Sequence, residues 1–402
     1  AGSREEDIGN RNGTARGLLM APNNALAKTK MGGTAGRDPT FDVTEEWLEE
    51  QARTCTGAAR EEDAPDPANR GVITAEEVRA RGSGVNLKPP PAGIPAELKR
   101  LLTTVMFLTR LPVPSWCDHD PMYLVPGMGP WFSVVGAGVG LWAGVWFDAL
   151  APPLLSPALA AVASTLATVW LTGCFHEDGL ADTLDGFGGG WTKEQILRIM
   201  KDSRCGTYAV VGSALAVLGK VQLLVLLHER FTAHGSAAPS PAQALAVAHV
   251  LGRTVAVVLC RTEPFVHDEG DDKGLMYNTF GGCLRAGLLT RARTLASVAF
   301  AVAWTLAVLG GPTPAAISVL ALMGLVTPFC GAYARSVLGG VIGDLLGAFI
   351  VFAELLALCA LAADPRAFAE ASTQAALARL SAALALLALV LTRKERLPLT
   401  KC

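Results

Sequence analysis

Residues 175–207 read FHEDGLADTLDGFGGGWTKEQILRIMKDSRCGT, a polar island rich in acids and glycine between long apolar stretches. Within it Asp178, Asp182 and Asp185 stand at i, i+4 and i+7, so a helix through them sets their carboxylates in a narrow arc on one face. Like charges that close require a cation. Hard oxygen ligands suit Mg²⁺, with Mn²⁺ as a substitute, and Mg²⁺ is typically held by a few carboxylates together with the phosphates of a substrate. A solvated acidic helix end would account for one aspartate; three on one face, followed by Gly186 and Gly188 to Gly190, favour a metal site. His176 adjoins the acids as a ligand or hydrogen-bond donor, the plain alternative being a solvated interfacial histidine. The block Lys201-Asp202-Ser203-Arg204-Cys205-Gly206-Thr207 joins cations, an acid and hydroxyls, a composition suited to a phosphate or a phosphate–metal complex. A basic flank to a membrane span would explain Lys201 and Arg204 but not Asp202.

The elements that must position these groups are membrane helices. The hydrophobic fraction is 51% and the mean hydropathy +0.36, yet the two parts of the chain differ sharply. Residues 1–95 carry 12 Lys/Arg and 15 Asp/Glu, against 22 and 21 in the remaining 307 residues, so a polar extension precedes an apolar body at 96–402. The extension reads as disordered, apart from a short helix around Phe41 to Arg53 and a stiff proline-rich junction at its end. The chain starts at Ala1 rather than Met, as in a processed or truncated form, and the acids of the extension argue against an intact transit peptide. The net charge of −2 offers no basic excess for nucleic acid. Nine cysteines form no CxxC pair and no cysteine–histidine cluster, so they read as packing residues rather than zinc ligands or a disulfide framework.

Apolar runs of ~20 residues, enough to cross a bilayer core, occur near 131–152, 156–175, 208–228, 241–260, 294–311, 315–334, 340–363 and 374–392. They predict an all-α bundle of eight spans. Residues 96–111 are shorter and amphipathic, as in an interfacial helix. If the island faces the cytoplasm, its four cations, the basic residues of 261–293, Arg335 and the basic tail all lie inside, and the opposite loops keep only Arg230 and Arg366. The positive-inside rule is then obeyed with both termini and the site on the cytoplasmic side. The host would be the inner or plasma membrane in a bacterium, or an organelle membrane in a eukaryote.

Charges within the spans are costly, about 2.5 to 3.5 kcal/mol each at a helix centre on insertion scales, so they mark pairs or sites. Asp344 lies near the end of its span on the side of the island and can join the polar site, whereas Glu354 is deeper and suits helix packing. Gly340, Gly343 and Gly347 give the same helix a small-residue face. Arg253 is placed to neutralise a phosphate and Lys220 to pair with Glu354 or Asp344, with a helix–helix ion pair an equal reading for both. The 261–293 segment has acids, turn glycines and aromatics of its own, as in a lid over the site or in a solvated loop.

Taken together, these stretches resemble the cobalamin-5'-phosphate synthase family, the adenosylcobinamide-GDP ribazoletransferases. The resemblance rests on Phe175-His176-x-Asp178-Gly179-Leu180-Ala181-Asp182-Thr183-x-Asp185-Gly186 and, at the expected interval, Ile199-Met200-x-Asp202-Ser203-Arg204-x-Gly206-Thr207. Phe107 to Pro114 (FLTRLPVP) is similar to the family's usual start, and the Gly339 to Glu354 stretch to its late acidic helix; the likeness runs over about 97–363. Residues 115–129 and the 261–280 loop depart from the pattern, and residues 1–95 have no counterpart in it.

The resemblance implies transfer of the phosphocobinamide group of cobinamide-GDP to α-ribazole or its 5'-phosphate, with release of GMP. It implies Asp178, Asp182 and Asp185 holding one or two Mg²⁺ against the diphosphate, Asp344 as an additional ligand, and Asp202 as a ligand or as the base for the ribazole hydroxyl. His176, Ser203, Arg204, Arg253 and Lys220 would bind substrate. The partners expected are these two substrates and the lipid bilayer, with self-association open. A CDP-alcohol phosphotransferase is the nearest rival, but Ala181 comes one residue early for its pattern and Asp182 stands where that pattern has Arg. A cation transporter would explain Asp344, Glu354 and Lys220 but not the acid and glycine blocks.

Overall fold

A computed structural model describes residues 95–117, 121–150, 155–266, 280–284 and 287–363. The expected extension at 1–95, the expected span at 374–392 and the middle of the 261–293 segment lie outside the described residues. The regular structure described is helical, joined by short turns and loops, apart from one isolated bridge between Phe265 and Val341. A short helix α1 (Ala96–Leu108) is followed by α2 (Pro121–Leu150), α3 (Pro157–Thr172), α4 (Phe175–Gly189) and α5 (Lys193–Met200). Then come α6 (Thr207–His234), α7 (Pro241–Thr262), α8 (Arg291–Val308), α9 (Pro314–Leu338) and α10 (Gly343–Ala362).

Six of these, α2, α6, α7, α8, α9 and α10, are long and apolar enough to cross a membrane, and the bent pair α3 and α4 makes a seventh candidate. The starts of several are written locally. Ser156, Ser240 and Thr313 each precede a proline at the first helical position and accept a hydrogen bond from a backbone N–H three residues on. A hydroxyl cap followed by Pro satisfies one orphan donor and presets the first φ. At Ser240 the side chain of Gln243 completes a capping box.

Two spans differ from expectation. The first starts at Pro121 rather than near residue 131, because Pro126 and Pro130 lie inside α2 without ending it. Pro130 has no N–H to give to the carbonyl of Pro126, and Arg293 Nη1 donates to that oxygen instead at 3.0 Å. The expected 156–175 span is α3 alone; the chain then turns by 91° into α4, which leaves the direction of the bundle. At 16 residues α3 covers ~24 Å.

The centre of the bundle is α7, with nearly every residue from Ala244 to Val257 buried. Gly136 and Gly140 of α2 face its backbone so closely that a Cβ at either would come within 2.6 Å of the carbonyl oxygen of His249 or Leu245. In lipid such backbone approach and side-chain hydrogen bonds hold helices together, since apolar burial no longer discriminates. Ser133 of α2 supplies the polar part, meeting Thr254 of α7 at 2.8 Å and Ser297 of α8 at 2.5 Å. One end of the bundle gathers α4, the first turns of α2, α6, α8 and α10, and the C-terminal ends of α3, α7 and α9. At the other end Gln243 Nε2 donates to Val308 O at 2.8 Å and Arg230 donates to Ala362 O.

Candidate functional site

The bend that frees α4 from the bundle is made by two left-handed residues, Gly173 (φ 68) and Cys174 (φ 60). Cys174 is the only non-glycine with positive φ among the described residues, a conformation that costs free energy and persists where surrounding structure imposes it. Here the Phe107 to Arg110 stretch imposes it. Arg110 N donates to Leu171 O at 2.8 Å, its guanidinium lies against Gly173 where a Cβ would come within 2.5 Å of Nε, and Phe107 meets Phe175 edge-on at 5.0 Å. On its other side α4 rests on the start of α10. A Cβ at Gly179 would lie 2.6 Å from Asp344 O, so only glycine permits this approach.

That contact brings the acids together. Asp178 is exposed, and Asp182, Asp185 and Asp344 are half-buried. Asp182 feels the charges of Asp344, Asp178 and Asp185, and Asp344 that of Asp178. No ion pair among the described residues involves any of the four. Asp178 and Asp344 also occupy the first turns of α4 and α10, where the helix dipole favours negative charge. The expected helix and face are therefore present, with Asp344 added from a distant segment.

Asp185 has a second engagement. Its carboxylate accepts from Gly206 N at 2.5 Å and Ala209 N at 2.9 Å, capping α6 across the chain because the residue at the cap position, Gly206, has no side chain to do so. A Cβ at Gly206 would come within 2.6 Å of Asp185 Oδ1. In the adjoining loop Asp202 is gripped by Arg204, with Nε at 2.9 and 3.1 Å from its two oxygens, Nη2 at 2.6 Å and the backbone N at 3.0 Å. These bonds from the Arg204 side chain and then its backbone hold the Asp202 carboxyl down at about 2, which makes it a poor proton acceptor and a good anionic ligand. Ser203 and Arg204 are exposed.

The remaining expected residues are elsewhere. Arg253, Lys220 and His176 are buried; Arg253 and Lys220 pair with Glu354, ten residues and therefore ~15 Å further along α10 than Asp344, and His176 meets Arg253. Arg253 Nη1 is ion-paired with Glu354 Oε1, Lys220 Nζ lies 3.4 Å from Oε2, and Arg253 Nη2 lies 3.4 Å from His176 Nδ1. The helix–helix pairing weighed for Arg253 and Lys220 is thus the arrangement found. Sequence reading missed His249, whose Nδ1 lies 2.8 Å from Glu354 Oε1 and 2.9 Å from Arg253 Nη1; its place one helical turn before Arg253 was the available signal. It also missed Arg110 as the cation beside the start of the acidic helix, legible only once α1 and α4 meet.

As a metal-binding set, the acidic face is open. Among the described residues no three His, Cys, Asp or Glu side chains are grouped so that they could hold a metal ion by themselves. Hard carboxylate oxygens repelling one another at a bundle end fit Mg²⁺, which keeps only one or two protein carboxylates and fills its shell with water and substrate phosphates.

The sequence profile of the family described as cobalamin-5-phosphate synthase matches residues 100–362. An adenosylcobinamide-GDP ribazoletransferase from Shewanella frigidimarina (strain NCIMB 400) is 37% identical over 255 residues, covering 63% of this chain and 89% of that protein. Its counterpart from Leptothrix cholodnii (strain ATCC 51168 / LMG 8142 / SP-6) is 37% identical over 268 residues, 65% of this chain and 94% of that protein. No solved structure matches. The match begins inside α1 and ends with α10, taking in the acidic helix and every described helix that packs on it, so the chain belongs to the cobalamin-5-phosphate synthase family.

Proposed function

We infer that the protein carries out the transfer step of cobalamin nucleotide loop assembly at the acidic face of α4. It is a membrane-embedded adenosylcobinamide-GDP ribazoletransferase by family. A hydroxyl of α-ribazole or of its 5'-phosphate attacks the phosphorus attached to cobinamide. The new P–O bond forms as the diphosphate P–O bond breaks, GMP leaves with the bridging oxygen, and the hydroxyl proton is released. Such a step needs the diphosphate charge neutralised and the leaving phosphate stabilised.

Asp178, Asp182 and Asp344 are our candidate set, of which one or two would hold Mg²⁺ together with water and substrate phosphates, and Asp185 has lone pairs left over from capping α6. When bound, the cation would screen the diphosphate and stabilise the departing GMP. Asp202, kept ionised by Arg204, serves as a further ligand rather than as the base. Ser203, Arg204 and Arg110 offer donors to phosphate oxygens around this face. The positive-inside distribution favours a cytoplasmic location for the face, and the polar residues 1–95 form an extension to the 96–402 transferase body.

The observation that carries this reading is the close approach of α10 to α4 at Gly179 and Asp344, which puts Asp344 beside the aspartates of α4 with no ion pair to any of them among the described residues, within the family's matched region. It is tested by supplying purified protein in nanodiscs with cobinamide-GDP, α-ribazole and Mg²⁺, with and without EDTA, and detecting products by mass spectrometry. Metal-dependent formation of a cobalamin product and GMP is expected. Product formation unaffected by EDTA would remove the metal from the reading, and turnover of CDP-diacylglycerol in place of cobinamide-GDP would replace the reaction.

A further inference from the structure

Two consecutive residues of α4 turn inward just before the acidic face begins. His176 is buried, with Nδ1 3.4 Å from Arg253 Nη2. Glu177 lines a cavity of about 40 Å³ together with Ser213, Lys220 and Glu354, and its Oε2 and the Ser213 Oγ are buried there without a protein partner. Glu354 is the hub, ion-paired with Arg253, 3.4 Å from Lys220 Nζ and 2.8 Å from His249 Nδ1. Four helices, α4, α6, α7 and α10, thus meet in one charged knot inside the bundle.

Each residue advances a helix by about 100°, so fixing the directions of His176 and Glu177 also fixes where Asp178, Asp182 and Asp185 point. We propose that Arg253, Glu354 and His176 are positioning residues: the buried knot sets the rotation of α4 and thereby aims the acidic face at its cation. This rests on the metal-binding reading above and assigns Arg253 a task other than touching phosphate. Its side chain is 1% exposed and committed to Glu354, and Glu354, itself an anion, has no affinity for phosphate. Arg can bridge a carboxylate and an imidazole with separate nitrogens, whereas the single ammonium of Lys cannot reproduce that fork.

The test compares wild type with Arg253→Lys, Glu354→Gln, His176→Gln and a control, Gln243→Ala, which loosens the far end of α7. Three quantities are read: the dissociation constant of Mn²⁺ by EPR of the free ion in the presence of cobinamide-GDP without acceptor, the split of kcat and KM, and the thermal midpoint. The three knot variants are expected to weaken Mn²⁺ binding and lower kcat ~10- to 100-fold, the range typical of groups that orient metal ligands, with the KM for cobinamide-GDP unchanged. Gln243→Ala should lower the midpoint and leave Mn²⁺ affinity alone. Should Glu354→Gln fail to fold, Arg253→Lys and His176→Gln, which keep the Glu354 charge, decide the matter. A raised KM for cobinamide-GDP in Arg253→Lys with normal Mn²⁺ affinity would make Arg253 a phosphate contact and overturn the proposal, as would wild-type values in all three. An active Asp182→Asn enzyme would instead remove the metal-binding reading itself, a separable failure.

Discussion

Two sets of charges share α10, and they are solved in opposite ways. At the bundle end, Asp178, Asp182, Asp185 and Asp344 face one another with no ion pair among the described residues. Some ~15 Å deeper, at 1.5 Å per residue, Glu354 is met by Arg253, Lys220 and His249. The deep charges are buried, so they are satisfied chiefly by one another. The outer acids are exposed or half-buried, so solvent can reach them and their repulsion need not be resolved by a protein cation, the pattern on which the proposed site rests. The difference separates a neutralised knot shared by α6, α7 and α10 from an unneutralised acidic face on α4 and α10.

The comparison is broken most severely by Asp182→Asn. Turnover should fall by more than ~100-fold, beyond the range for residues that merely orient ligands, while membrane insertion and the thermal midpoint hold or rise, because one of the repelling charges has gone. Loss of turnover with loss of folding would make Asp182 structural and erase the distinction. Metal removal comes next: EDTA should bring product formation to background and excess Mg²⁺ should restore it, with the protein remaining folded throughout by circular dichroism.

The inner set should behave in reverse. Glu354→Gln leaves Arg253 and Lys220 without their anion and should cost about 3 to 5 kcal/mol of stability, as for other broken buried pairs, read as a shift in thermal or denaturant unfolding. A Glu354→Gln protein as stable as wild type would show that the knot is not needed to hold the bundle. The smallest effect falls between the two regions. Asp185→Ala removes the cross-chain cap of α6 and should cost about 1 kcal/mol, accompanied by faster hydrogen exchange at Gly206 and Ala209, the two amides it accepts from.

Much of this was legible in the chain. The i, i+4, i+7 spacing of Asp178, Asp182 and Asp185 specified a helical acidic face, and α4 is that helix. The apolar runs marked the membrane helices, since a span must satisfy its own backbone and carry its own hydrophobicity. Hydroxyl–proline pairs precede α3, α7 and α9, a local start signal that the apolar runs alone did not use. The 91° turn at Gly173 and Cys174 was not legible; the change from apolar to polar residues there marks the end of a span but not its angle, and the bend is imposed by contacts with Phe107 and Arg110. Nor was the true start of α2, because prolines normally read as helix ends and the donor that satisfies the freed carbonyl of Pro126 is Arg293, 167 residues away.

The sequence by itself determined class, membrane character, family and the acids of α4, because each of these is carried by local spacing or by an unbroken stretch of residues. Tertiary structure decided which charges neutralise one another. Asp344 joins the acidic face only because Gly179 lets α10 come within reach, and Arg253 is drawn away from that face because Glu354, from another helix, stands beside it. Coulomb interactions and hydrogen bonds depend on distance in space, and distance in space between helices is set by packing that no single segment contains.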